Sequence, residues 1–177
     1  MKIRDISSIE EVESLIASVT QSANKALAQV SRLGLNDEGL KALWSMKVHP
    51  VGFDPLDSEA PFNLIEQLNQ TFTYIASARA AKLLLSMHPD LAPFTMNLGT
   101  SPGSDIESTT DGGLAAEVFA AVNTSNNRKL AMDVKKVGRT QAHFKYVFFM
   151  CPGYAAGRQT KLERNTGVMV WSVGAAV

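Results

Sequence analysis

The segment SDIESTTDGGLAAEVFAAVN, residues 104–123, decides how this chain is read. Two strand-like runs, SDIEST (104–109) and LAAEVFAAVN (114–123), flank Thr110-Asp111-Gly112-Gly113, which has the composition of a hairpin turn. The second run is nearly all apolar, as a buried strand is, yet Glu117 sits in its middle. Burying an ionised carboxylate without a partner is costly, or forces it to take up a proton. Side chains alternate along a strand, so Ala115, Glu117, Phe119 and Ala121 share one face, and Asp105 and Glu107 share a face of the preceding strand. A three-residue loop over 111–113 sets Glu107 opposite Glu117 and Asp105 opposite Phe119, with all three acids on one side. A two-residue loop shifts the register and separates them. Like charges facing one another across strands are destabilising. Grouping them makes physical sense chiefly around a cation, and oxygen-only ligands favour Mg²⁺, Mn²⁺ or Ca²⁺.

Upstream, SSIEEVESLIASVTQSANKALAQVSRLG (7–34) has Ser8 and Glu11 at capping-box spacing, apolar Ile9, Val12, Ile16 and Val19 at helical spacing, and Gly34 as its stop. A shorter helix is expected from Asp37 to Met46, with Leu40, Leu43 and Trp44 on its inner side. The prolines and glycine of KVHPVGFDPLDSEA (47–60) read as a loop. A long helix then starts with Pro61 in its first turn and ends at Pro89. FTMNLG (94–99) reads as a short strand. Downstream, TSNNRKLAMDVKKVG (124–138) returns to helical spacing, with Ser125 or Asn126 as N-cap and Leu130, Val134 and Val137 as its stripe. HFKYVFFM (143–150) and GVMVWSVG (167–174) are strands joined by the basic loop PGYAAGRQTKLERN.

The order of these elements, with Asp105 in SDIES and Glu117 in AAEVF, resembles the PD-(D/E)XK, or restriction-endonuclease-like, nuclease superfamily over roughly Pro61 to Met150. The resemblance implies an α/β fold: a mixed α+β sheet in an αβββαβ core, residues 61–177, behind an N-terminal helical extension, residues 1–60, in one compact domain overall. It also implies Asp105 and Glu117 as the first and second acids, on the second and third core strands, holding Mg²⁺ or Mn²⁺ with a backbone carbonyl near Val118. Glu107 and Glu66 are further candidate metal ligands; Glu66 stands in the long helix where some members carry a carboxylate. The family's usual lysine, two residues after the second acid, is replaced by Phe119. Some members supply that lysine from the following helix, where Lys129 is the first choice and Lys135 and Lys136 lie further along, although the spacing of Lys129 from Asp133 also fits a simple surface pair. Asp133-Val134-Lys135 is a rival match to the D-x-K motif, discounted because the segment has helical spacing.

The implied activity is metal-dependent hydrolysis of nucleic-acid phosphodiesters, with DNA as the expected substrate. Other readings remain beside it. A catalytically degenerate member of the fold would bind nucleic acid or protein, and Glu117 as a structural acid would pair with Arg79 or Arg158. Charge distribution bears on the partner. Residues 126–164 carry nine Lys and Arg against Asp133 and Glu163 in a chain of net charge zero. Arg128, Lys135, Lys136, Arg139, Arg158 and Lys161 are therefore candidate phosphate contacts. A homodimer is a further expected partner.

The remaining features exclude more than they suggest. Cys151 is the only cysteine, so no internal disulfide forms, and a reducing cytoplasm is expected. It reads as a core thiol rather than a nucleophile beside His143. The N-terminal MKIRDISSIEEVES lacks the apolar run of a secretory signal, and no apolar stretch is long enough for a bilayer. NLGTSPGSD lacks phosphate-loop spacing, and the three histidines lack zinc-site spacing.

Overall fold

The computed structural model describes residues 2–32, 38–110 and 112–175. The expected helix stop at Gly34, the helix start at Asp37 and the turn residue Asp111 lie outside them. The chain divides into two compact units, Ser14–Tyr74 and Met1–Glu13 with Ile75–Val177. In chain order the strands and helices are β1 (Ile3–Ile6), α1 (Ile9–Val30), α2 (Gly39–Val48), β2 (Pro50–Asp54), β3 (Asp57–Asn63), α3 (Leu64–Met87), β4 (Phe94–Asn97), β5 (Ile106–Ser108), β6 (Leu114–Ala120), α4 (Lys129–Gly138), β7 (Phe144–Met150), β8 (Gly157–Arg158), α5 (Thr160–Glu163) and β9 (Met169–Ser172). Among the described residues, no helix is long and apolar enough to cross a membrane.

The unit that holds the acid-bearing hairpin is built on a seven-stranded mixed sheet of order β1-β4-β5-β6-β7-β9-β8. Its β6–β7 and β7–β9 pairs are parallel and the others antiparallel. A parallel partner cannot be reached by a hairpin, so the chain crosses from β6 to β7 through α4. Both faces of β6 are covered: Leu114 through Phe119 are all buried, which is why its sequence is a continuous apolar run. On the α4 side, Ala115, Phe119, Val147, Phe149, Val170 and Val137 form one cluster, with Leu130 and Val134 packed against it. On the other face, His88, just past α3, lies 2.6 Å from the Tyr146 hydroxyl.

Several elements depart from the sequence reading. Residues 47–60 are not a loop: β2 and β3 pair there as an antiparallel hairpin turning at Pro55-Leu56. Pro61 belongs to β3, opposite Phe53, and α3 starts three residues later. Proline is tolerated on a two-stranded ribbon whose edges stay unpaired. A Cβ at Gly52 would lie 1.8 Å from Gln67 Oε1, so any larger residue there would force the Gln67 side chain to move. Gln67 is buried and donates to the hydroxyls of Ser22, at 3.1 Å, and Thr71, at 2.9 Å. The face of α2 expected inside is outside, with Leu40, Leu43 and Trp44 all exposed. The strand β1, unread in the sequence, borders β4, and β8 and α5 interrupt the expected basic loop. Neither Ser125 nor Asn126 caps α4; its N-cap is Arg128, in the left-handed region at φ 56°. The capping box at Ser8 and Glu11 does form, with reciprocal bonds of 3.3 Å.

Candidate active site

The hairpin register is set by Ile106 opposite Ala116 and Glu107 opposite Ala115. It lies two residues from the expected register, so the faces are as read but Glu107 is not opposite Glu117. Glu107 is exposed, and its Oε1 accepts the Ser104 N–H at 2.8 Å, capping the turn before β5. It does not figure among the charges that shift the site's acids. Asp105, one residue ahead of β5, does reach β6. Its Oδ2 accepts the Val118 N–H at 2.7 Å, so Val118 contributes its N–H to this acid.

Glu117 is almost completely buried. Its Oε2 accepts from Lys136 Nζ at 2.8 Å, while Oε1 is buried with no hydrogen-bond partner among the described residues. Neither Arg79 nor Arg158 is its counterion. Arg79 donates to the carbonyls of Val173 and Ala175, and Arg158 forms a two-point pair with Glu163 at 2.7 and 3.0 Å. Phe119, at the expected lysine position, stacks on Phe149 at 5.8 Å between ring centroids within the core. The cation therefore comes from α4.

Three α4 residues face this acid pair. Lys129, Asp133 and Lys136 stand four and three residues apart, which places them on one helix face. Lys129 Nζ meets Asp133 Oδ1 at 2.7 Å, the simple i,i+4 pair weighed for it. Asp133 is buried, and its Oδ2 has no partner. Lys136, read from sequence as a phosphate contact and, after Lys129, as a candidate for the helix-borne lysine, is the lysine that meets Glu117. Asp133, weighed only as a surface partner of Lys129 and in the discounted D-x-K match, is the member of the cluster not assigned to it from sequence, and its spacing from Lys129 was the available signal.

The acids are electrically coupled. Burial pushes Glu117 up to about 7; the Lys136 hydrogen bond opposes the rise, and the Asp105 and Asp133 charges add to it. Burial likewise raises Asp105 despite the Val118 N–H and the charges of Lys136 and Lys129. Asp133 rises by burial against its bond to Lys129, with Asp105 contributing. At Lys136 desolvation works against the charge, but the bond to Glu117 and the charges of Glu117, Asp105 and Asp133 outweigh it and the ammonium is held more firmly.

Two buried carboxylate oxygens, on Glu117 and Asp133, have no hydrogen-bond donor among the described residues, and carboxylate oxygens are the ligands a hard cation takes. Among the described residues, no group of three or more His, Cys, Asp and Glu is arranged to hold a metal ion. Mg²⁺ needs less, because it keeps several waters and is commonly bound through one or two carboxylates. Glu66 belongs to the other unit and serves a capping box: Asn63 N–H donates to Glu66 Oε2 at 3.0 Å, and Glu66 N–H to Asn63 Oδ1 at 2.9 Å. Of the candidate phosphate contacts, Arg139 and Lys161 are exposed, Arg158 is engaged by Glu163, and Arg128 and Lys135 line a groove on the far flank of α4. Cys151 is buried and burial raises its thiol, as a core residue requires.

Comparison with known proteins finds no match to this chain among family models, curated proteins or solved structures.

Proposed function

We propose that the protein is a divalent-metal-dependent phosphodiesterase acting on nucleic acid, with a restriction-endonuclease-like core. The observation that carries this reading is the buried carboxylate of Glu117, which has one oxygen on Lys136 and the other without a partner. Asp105 is tied to the next residue of the same strand. The succession α3-β4-β5-β6-α4-β7, with β6 and β7 parallel, supports the fold reading because it has the αβββαβ order of that core.

Asp105 and Glu117 would hold Mg²⁺ or Mn²⁺. Such an ion would lower the pKa of a bound water and stabilise charge on phosphodiester oxygens. The chain's own contribution is positional. The Val118 N–H fixes Asp105, and β6, buried on both faces, fixes Glu117. Lys136 balances the charge of Glu117 and, half-exposed, presents its ammonium towards an incoming phosphate. Lys129 does the same through Asp133. Arg139 and Lys161 would add affinity without reading sequence.

Calorimetric titration of Mn²⁺ into chelator-treated protein tests this reading, alongside hydrolysis of end-labelled DNA and RNA. Binding that vanishes in Glu117→Ala, while the circular dichroism spectrum persists, is expected. So is cleavage that requires the metal and is lost in Lys136→Met. Absence of binding to the wild type at millimolar Mn²⁺ defeats the proposal. Binding without cleavage would favour a catalytically degenerate member, a reading that Phe119 at the usual lysine position supports.

A further inference from the structure

The flank of α4 that turns away from the acids carries a groove of about 800 Å³. Its floor is aliphatic: Leu130 and Val134 of α4 and Leu162 of α5 each pack on the core below and leave part of their surface to the groove. Around it stand Arg128 and Lys135 on one side and Arg164 on the other. Among the described residues, none of these three cations is within ion-pair distance of an acid, whereas Lys129, Lys136 and Arg158 all are. Arg128 and Arg164, on opposite walls, both hold left-handed backbone, at φ 56° and 48°. Both positions are helix caps, Arg128 before α4 and Arg164 after α5, which is what sets the two side chains at the groove.

The geometry points to this groove as a docking site for an acidic amphipathic helix of a partner protein. No lining residue is buried, so the groove is an open bed rather than the enclosed pocket that a small ligand requires. Its apolar floor would take leucine-like side chains repeated along one helix face, and its three cations, without an acid partner among the described residues, would meet flanking carboxylates. A nucleic-acid strand fits less well. The lining contains no aromatic ring on which bases would stack, and an aliphatic floor gives nothing to a phosphate backbone. The groove is also distinct from the acid cluster. Lys129, Asp133 and Lys136 lie on one side of α4, and Ala131, Lys135 and Gly138 roughly half a turn round it.

The test uses fluorescence anisotropy with three probes: a labelled helical peptide with leucines at i, i+3 and i+7 between glutamates, the same peptide with lysines for glutamates, and a single-stranded oligothymidylate. Two exposed positions of α4 give separate variants. Lys135→Glu reverses a rim charge, and Ala131→Trp fills the groove without altering charge; circular dichroism verifies both folds, and Arg164→Glu repeats the charge test from the other wall. The acidic peptide is expected to bind at least about tenfold tighter than the lysine peptide and to lose roughly tenfold in each of the three variants. Acidic-peptide binding that ignores Ala131→Trp overturns the proposal, as does failure of that peptide to bind. Oligothymidylate binding that is lost in Lys135→Glu but kept in Ala131→Trp, without peptide binding, would make this flank a phosphate track.

Discussion

The two flanks of α4 carry the same kinds of residue and use them in opposite ways. On one flank Lys129 and Lys136 meet acids that the sheet and helix have buried. On the other, Arg128 and Lys135 stand beside an aliphatic groove without an acid partner among the described residues. The difference lies in what the neighbouring elements present. Glu117 is fixed in a strand that is covered on both faces, so its charge cannot be left to water. Lys135 is exposed, and an exposed lysine needs no counterion. A cation's role on this helix is thus decided by the burial of what it faces.

That contrast can be broken by mutation. Lys136→Met should have the largest effect, because it leaves a buried carboxylate unpaired; roughly 2–4 kcal/mol of stability should be lost at pH 8 and less at pH 5. Urea unfolding at the two pH values checks it, and an equal loss at both would contradict the pairing. Glu117→Gln should act the other way. An ordinary glutamate titrates near 4.5, while Glu117 is pushed up to about 7 by burial, offset in part by Lys136. Between those values the folded protein holds a proton that the unfolded chain has shed. The contribution of this group to stability therefore falls as pH rises through that window. The glutamine variant, which cannot titrate, should be the more stable at pH 8 by about 1–3 kcal/mol, and the difference should shrink towards pH 5. A flat difference between pH 5 and 8 would rule this out.

Smaller effects sharpen the comparison. Lys129→Ala removes the partner of buried Asp133 and should cost roughly 1–2 kcal/mol, read as a lowered urea midpoint. On the opposite flank, Lys135→Ala should change stability by less than about 0.5 kcal/mol, because Lys135 is exposed and has no acid partner among the described residues. A loss at Lys135 equal to that at Lys129 would erase the distinction between the flanks.

Much of the scaffold was legible in the residues. β6 and β7 announce themselves as apolar runs because parallel central strands are buried on both sides, and α4 because Leu130, Val134 and Val137 keep helical spacing. Legibility failed where local composition and tertiary use disagree. Pro50, Gly52 and Pro55 read as a loop, yet they lie in a hairpin; Gly52 gives Gln67 the close approach it needs. Leu40, Leu43 and Trp44 have the spacing of an inner face, but α2 buries none of its residues.

By itself the sequence determined that a carboxylate stands inside an apolar strand and that its charge needs a partner, while it placed Asp105 and Glu117 on one side of the hairpin for only one of two turn lengths. These follow from alternation along a strand and from the cost of burying charge. Only the tertiary structure decided which lysine. Lys129 and Lys136 are both on the correct helix face, and the choice depends on how α4 lies across β6, where 2.8 Å separates Lys136 from Glu117 and Lys129 is taken by Asp133. The hairpin register, two residues from expectation, was likewise settled by pairing across β5 and β6 and not by composition. Alternation repeats every two residues, so it fixes the face of a side chain but leaves its opposite number undetermined.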